Sequence, residues 1–149
     1  MIEKLSLAHL DYLATAKETF PDAWDKEMLI SGVEKGGLRG FVYSENGKNV
    51  GFITFVTSFE SADIECVYVN PSHRKKGIAK ALFLELLTEL KKEKVEKILL
   101  EVRQSNFSAI ALYKSQGFIE ISQRKKYYDG EEDAIIFLRE IGDGKRDSH

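Results

Sequence analysis

The chain has 149 residues, of which 43% are hydrophobic and 31% are charged, with 22 Lys and Arg against 24 Asp and Glu. This length predicts one compact domain with a hydrophobic core of its own. The net charge of −2 argues against a protein that coats nucleic acid. The single cysteine, Cys66, excludes an intramolecular disulfide and a cysteine-clustered zinc site.

The apolar runs are short, as in residues 51–56 and 134–138, and fall far below the roughly 20 residues that span a bilayer. The first five residues lack the basic start and the apolar stretch of a secretory signal. We therefore expect a cytoplasmic protein that makes no use of a membrane. The polar, aperiodic residues 142–149 are predicted to be a disordered tail, which leaves residues 1–141 as a single domain.

Hydrophobic spacing predicts the helices and strands. In chain order we expect helices over 8–17 and 24–33, strands over 40–43, 50–57 and 64–69, a long helix from Gly77, a strand over 97–102, a helix between Asn106 and Gly117, and strands over 118–122 and 134–138. Asn46-Gly47 predicts a tight turn between the first two strands, and the last two are expected to flank a polar loop. This order predicts an α/β (α+β) fold, a mixed sheet with helices on both faces.

The most informative segment joins the third predicted strand to the long helix, and it reads Asn70-Pro71-Ser72-His73-Arg74-Lys75-Lys76-Gly77-Ile78-Ala79-Lys80. A helix N-terminus has unpaired N–H groups and a partial positive charge, so this turn can hold a phosphate. Gly77 and Ala79 are small where a pyrophosphate approaches the backbone, and the neighbouring cations add attraction. The alternative is a solvated basic turn. A P-loop is excluded because Ile78-Ala79, and not Lys-Ser/Thr, follows Gly77, and a dinucleotide fingerprint is excluded because the segment has only one glycine.

Residues 74–79 resemble the Arg/Gln-x-x-Gly-x-Gly/Ala acetyl-CoA loop of the GNAT family of N-acetyltransferases. The resemblance continues in the family's order through 100–106, 109–118 and 127–134. Phe20-Pro21 with Trp24 is similar to the start of the family's ribosomal-protein-alanine branch, the RimI type. The similarity reaches about Ile141. It implies the GNAT fold and an N-acetyltransferase that uses acetyl-CoA as co-substrate and no metal.

The resemblance also implies roles for individual residues. Glu101 aligns with the general base, and Tyr113 aligns with the general acid that protonates the leaving thiolate. Tyr127 and Tyr128, in the predicted loop before the last strand, align with residues that line the substrate groove. The residues implied in acetyl-CoA binding are Val67, Tyr68, Val69, Arg74, Lys75, Lys76, Gly77, Ile78, Ala79, Lys80 and Asn106. Among them, a backbone N–H of 67–69 would hold the oxyanion, and Asn106 would bond the pantetheine arm.

Each of these residues also has an ordinary structural interpretation. Glu101 can be a surface glutamate near a strand end, Tyr113 a core aromatic, and Asn106 a helix N-cap. The loop with Tyr127 and Tyr128 can be an exposed hairpin, although its acidic residues could attract a cationic protein N-terminus. Cys66 is the rival nucleophile, but it lies in an apolar run where an inert buried thiol is expected.

Three functions follow from these patterns. The first is acetyl transfer to the N-terminal α-amine of a protein, with a small-subunit ribosomal protein that begins with Ala or a similar small residue as the substrate, by direct attack in a ternary complex. An α-amine, with a pKa of about 7.7–8.0, suits a single carboxylate base better than a lysine at about 10.4. The second is acetylation of a lysine or of a small-molecule amine. The third is a non-catalytic acyl-CoA-binding module, against which the presence of both Glu101 and Tyr113 argues. The sequence makes no prediction about the oligomeric state.

Overall fold

The structure, a computed structural model, describes residues 1–141, so the predicted tail over 142–149 lies outside the described residues. The helices are α1 (Leu10–Thr15), α2 (Lys26–Glu34), α3 (Ile78–Lys92) and α4 (Phe107–Ser115). The strands are β1 (Ile2–Lys4), β2 (Arg39–Glu45), β3 (Lys48–Ser58), β4 (Ser61–Val69), β5 (Lys97–Arg103), β6 (Ile119–Tyr128) and β7 (Glu132–Glu140). Across this part of the chain, no helix combines the length and the apolar character needed to cross a membrane.

The seven strands form one mixed sheet in the order β1-β2-β3-β4-β5-β7-β6. β4 and β5 pair in parallel, from Ser61 opposite Lys97 to Asp63 opposite Leu99. The pairs β1–β2, β2–β3, β5–β7 and β7–β6 are antiparallel. The predicted α/β class with a mixed sheet is confirmed.

The chain divides into two compact units, and the first comprises residues 1–57 and 65–89. In this unit α1 and α2 cover one face of the strands, where Phe52 of β3 and Cys66 and Tyr68 of β4 join their apolar core. The helix α3 lies on the other face, since a Cβ on Gly51 would stand 3.1 Å from Ile78 Cγ2. The prediction of helices on both faces is confirmed within this unit.

The second unit comprises residues 58–64 and the chain from Leu90 onward. Its strand β5 buries alternate residues, and α4 packs on that buried face through Tyr113, whose ring lies 6.3 Å from that of Phe137 of β7. Ile98, Leu100 and Val102 of β5 are buried. The residues between them therefore project to the opposite face of the sheet, because side chains alternate along a strand.

Local signals account for most of the element boundaries. The α2 helix begins after Asp25, whose carboxylate accepts the Met28 N–H at 2.9 Å, two residues later than predicted. Asn46 and Gly47 have φ angles of 53° and 79°, which is the conformation of the predicted tight hairpin turn. The predicted first helix is a short α-helix with a 3₁₀ turn at each end, over Leu7–His9 and Ala16–Glu18.

The prediction of a long polar loop between strands over 118–122 and 134–138 is wrong. The strand β6 continues to Tyr128 and β7 begins at Glu132, so only residues 129–131 form the turn. β6 is an edge strand whose side chains are exposed except at Tyr128, and it therefore lacks the apolar alternation that marks a half-buried strand. Its pairing with β7 also shifts register twice, between Glu120 and Ser122 and between Arg124 and Tyr128.

The backbone of β2 passes so close to β3 that only glycine fits at position 40. A Cβ on Gly40 would stand 2.4 Å from the carbonyl oxygen of Ile53, whereas one on Gly37 would meet no atom within 4 Å. We expect Gly40→Ala to lower the free energy of unfolding by about 1–3 kcal/mol through overpacking. Gly37→Ala is the matched control and should be nearly neutral. Urea denaturation measures both, and equal stability of the two variants would contradict this account.

Candidate active site

The basic turn between β4 and α3 exposes backbone donors. Lys75 and Gly77 have φ angles of 62° and 84°, and this left-handed backbone leads the chain into α3. The Ala81 N–H donates to the Gly77 carbonyl at 3.0 Å. The N–H groups of residues 78–80 come before it, at the start of α3, where the N–H groups of an α-helix have no hydrogen-bond acceptor within the helix. A Cβ on Gly77 would meet no atom within 4 Å, so the space beside it is open to a ligand.

The cations of this turn fall into two groups. Arg74 is anchored, because its Nε donates to the Val69 carbonyl at 2.9 Å and its guanidinium lies 5.8 Å over the Tyr68 ring. The ammonium groups of Lys75, Lys76 and Lys80 are exposed, and no acidic side chain among residues 1–141 pairs with them. The turn thus combines backbone donors with uncompensated positive charge, which is the combination that binds phosphate.

The end of β4 is tied to α1 by contacts that the sequence analysis missed. The Tyr12 hydroxyl donates to Asn70 Oδ1 at 2.8 Å, and the Asn70 N–H donates to the Val50 carbonyl at 2.8 Å. Burial raises the pKa of Tyr12, with a smaller contribution from Tyr68, so its hydroxyl stays protonated. The Tyr68 hydroxyl shares a hydrogen bond of 2.9 Å with Thr19 Oγ1. These contacts fix the strand that carries 67–69.

Cys66 is buried on β4, in the core beneath α1 and α2. Burial, and after it the charge of Glu65, raises the pKa of its thiol to about 12. A neutral buried thiol is a poor nucleophile, which agrees with the expectation of an inert cysteine.

Glu101 lies on the face of β5 opposite the buried Ile98, Leu100 and Val102, and its side chain is 34% exposed. It is not an isolated surface carboxylate, because Arg124 Nη1 donates to its Oε1 at 3.0 Å. Within residues 1–141, no hydrogen bond or ion pair engages its Oε2. One oxygen is therefore held while the other can accept a proton.

The prediction that Tyr127 and Tyr128 lie in a loop is wrong. They lie at the end of β6, because β6 pairs with β7 as far as the turn. Their rings meet edge to face at 5.2 Å between centroids. Each ring also lies beneath a guanidinium, that of Arg124 at 4.4 Å from Tyr127 and that of Arg103 at 4.3 Å from Tyr128. Neither arginine was recognised from the sequence.

The acidic residues of this hairpin have partners of their own. Glu132 accepts the Ser105 N–H at 2.7 Å and pairs with Arg103 at 3.2 Å. Hydrogen bonds from the Ser105 side chain and then from its N–H, followed by Arg103, lower the pKa of the Glu132 carboxyl. The pKa of Asp133 is lowered first by the Lys126 N–H and then by Lys125. The expectation that the acidic residues attract a cationic N-terminus stays a prediction, although internal cations and N–H groups already pair with Glu132 and Asp133.

The helix α4 begins and ends as the sequence predicts. Asn106 is the N-cap, with its Oδ1 accepting the Ala109 N–H at 3.2 Å, and Gly117 follows the helix with a φ of 87°. Capping engages the oxygen of Asn106, which leaves its amide NH₂ as a donor for a ligand. Tyr113 is 8% exposed and packs against Phe118 and Phe137, so its ring is part of the core.

No group of three or more His, Cys, Asp or Glu side chains within residues 1–141 is arranged to hold a metal ion.

The chain matches the family model of the acetyltransferase (GNAT) family over residues 6–118. It is 35% identical over 143 residues to the [ribosomal protein bS18]-alanine N-acetyltransferase of Escherichia coli strain K12, an alignment that covers 94% of this chain and 95% of that protein. The crystal structure of the ribosomal-protein-S18-alanine N-acetyltransferase from Escherichia coli aligns with a TM-score of 0.87 and 32% identity, covering 97% of this chain and 95% of that one. Arabidopsis thaliana NAA60 in complex with acetyl-CoA shares the fold, with a TM-score of 0.81 and 22% identity over 95% of this chain and 98% of that one.

The fold and the similarity to known proteins thus define an acetyl-CoA-dependent N-acetyltransferase. The chain belongs to the GNAT family, and within it resembles the RimI-type, ribosomal-protein-alanine branch. Both expectations drawn from the motifs are confirmed.

Proposed function

We propose that this enzyme acetylates the N-terminal α-amine of a small-subunit ribosomal protein whose first residue is Ala or a similarly small residue. The observation that carries the choice of an α-amine is the exposed Glu101 carboxylate, with one oxygen held by Arg124 and the other open. The choice of a ribosomal substrate is supported by the 35% identity, over 94% of the chain, to an enzyme named for the alanine of ribosomal protein bS18. In this proposal residues 1–141 act as one catalytic domain.

Acetyl-CoA binds, in this proposal, through its pyrophosphate at residues 74–80. The donors are the N–H groups of Ile78, Ala79 and Lys80, with the ammonium groups of the turn adding charge. The Asn106 amide donates to a carbonyl of the pantetheine arm. A backbone N–H of residues 67–69 donates to the thioester oxygen, where negative charge develops during attack.

The reaction is a direct attack in a ternary complex. A proton passes from the α-ammonium to Glu101, and the neutral nitrogen attacks the thioester carbonyl carbon to form a tetrahedral intermediate. The C–S bond then breaks, and the Tyr113 hydroxyl gives its proton to the leaving thiolate. The former amine nitrogen loses its second proton to solvent as the amide forms, Tyr113 takes a proton back from solvent, and Glu101 releases the one it accepted. An α-amine loses its proton near pH 8 whereas a lysine needs a pH above about 10, so a single carboxylate is matched to the first.

The site of acetylation tests the substrate class. A peptide with a free N-terminal Ala and internal lysines should be acetylated at its α-amine, because that amine is partly neutral at pH 7. The same peptide with a blocked N-terminus is the matched control and should be a poor substrate. Tandem mass spectrometry locates the acetyl group, and acetyl found mainly on internal lysines would favour the alternative, acetylation of lysine side chains.

Binding of acetyl-CoA at the turn over residues 74–80 is tested by substituting two glycines of similar backbone conformation. Gly77 and Gly47 have φ angles of 84° and 79°, and a Cβ on either would meet no atom within 4 Å. Gly77→Val should raise the calorimetric Kd for acetyl-CoA by at least about tenfold, roughly 1.4 kcal/mol, because the side chain fills the space beside the turn. Gly47→Val carries the same backbone strain in a hairpin and should leave the Kd unchanged. Undiminished affinity in a folded Gly77→Val protein would contradict binding at this turn.

The role of Tyr113 is tested by removing its hydroxyl alone. Tyr113→Phe keeps the ring contacts with Phe118 and Phe137, so the Tm should change little. Loss of a positioned acid should lower kcat by about 10²–10⁴-fold. Steady-state kinetics measures this, and wild-type turnover would leave Tyr113 a core aromatic only.

A further inference from the structure

The contact between Arg124 and Glu101 crosses an intervening strand. Glu101 is on β5 and Arg124 on β6, and β7 lies between them. Arg124 stands opposite Ala134 of β7, and Ala134 stands opposite Arg103 of β5, so all three project from the face that carries Glu101. Glu101 stands opposite Ile136, the next residue of β7 on that face, so Arg124 reaches the carboxylate diagonally across β7, beside the small Ala134 side chain.

A bulge in β6 brings Tyr127 to the same arginine. The pairing shifts from Arg124 opposite Ala134 to Tyr128 opposite Glu132, so the five residues 124–128 oppose the three residues 132–134. Asp133 secures the bulge, because its Oδ1 accepts the Lys126 N–H at 2.8 Å and its Oδ2 pairs with Lys125 at 3.2 Å. Strict alternation would point Tyr127 away from Arg124, whereas here the guanidinium lies 4.4 Å over its ring.

We propose that Arg124 is a positioning residue that holds the Glu101 carboxylate in the orientation needed to accept the proton of the substrate amine. The inference rests on the proposed role of Glu101 as the base. A charge-assisted hydrogen bond fixes Oε1, and the Tyr127 ring fixes the guanidinium from its other side. The side chain of Glu101 is thereby limited to arrangements that keep Oε2 open.

Stability gives no comparable reason for this ion pair. The side chains of Glu101 and Arg124 are 34% and 49% exposed, and exposed ion pairs contribute little to folding. Tyr127 also belongs to the proposed substrate groove, so a peptide packed on its ring restrains the same guanidinium. Arg124 therefore links occupation of the groove to the orientation of the base.

A double-mutant cycle between Arg124→Gln and Glu101→Gln tests the inference. Arg124→Gln should lower kcat by about 10- to 100-fold through misplacement of the base, with the Tm and the Kd for acetyl-CoA unchanged. In the Glu101→Gln background the same substitution should cause no further loss, because a residue that acts through Glu101 has nothing left to position. Arg124→Lys should recover part of kcat, since it keeps the charge but not the planar fork.

Arg39→Gln is the matched control. Arg39 also pairs with a carboxylate, that of Glu89 at 3.6 Å, and lies 5.0 Å over the ring of Phe55, but these contacts are in the first unit. Its substitution should leave kcat at the wild-type value. A loss equal to that of Arg124→Gln would overturn the inference, because removing any stacked arginine would then suffice.

The other outcomes separate this inference from the proposed function. Wild-type kcat in Arg124→Gln, or an equal loss in both backgrounds of the cycle, overturns the positioning role and leaves Glu101 as the base. Wild-type kcat in Glu101→Gln overturns the base and the positioning role together. If Arg124→Gln does not fold, the cycle with Arg124→Lys applies the same criteria.

Discussion

The position of the candidate phosphate site in the first unit depends on the conformation of the chain between the end of β4 and the start of α3. The strand ends at Val69, two residues before Pro71, which has no N–H to continue a ladder. At Asn70 the Tyr12 hydroxyl and the Val50 carbonyl hold the chain. The chain then turns through the left-handed residues Lys75 and Gly77 into α3. Because the strand end is fixed, the free N–H groups of the helix face a defined, open position. In the proposed function, this position receives the pyrophosphate of acetyl-CoA.

In the part of the chain that the structure describes, the charged side chains of the turn in the first unit lack partners of opposite charge, whereas Glu132 and Asp133 of the hairpin in the second unit are paired. The lysines of the turn have no acidic partners within residues 1–141, so their attraction for an anion is undiminished. Glu132 and Asp133 of the β6–β7 hairpin are compensated by Arg103, Lys125 and backbone N–H groups. The charges of Glu132 and Asp133 are therefore paired within the second unit. The contribution of these acids is geometric, since they hold the bulge and the arginine that stacks on Tyr128.

The sequence predicts the elements whose periodicity is strong, such as α3 and β5, and those with a chemical marker, such as the Asn46-Gly47 turn and the Asn106 cap. Motifs within a known order were enough to predict the family and the candidate residues. The extent of β6 was missed because an exposed edge strand has no apolar alternation. Arg124 was missed for a different reason. Its pairing with Glu101 depends on the strand order and on a bulge, and neither has a signature in the local sequence.

The burial of Cys66 matters for an enzyme that handles a thioester. Burial, and after it the charge of Glu65, raises the pKa of its thiol to about 12, so the thiol stays protonated at pH 7. Thiolates, not thiols, attack thioesters and disulfides. A buried, protonated Cys66 is therefore a poor acceptor for the acetyl group of the donor. The acetyl group therefore remains available for transfer to the amine of the substrate.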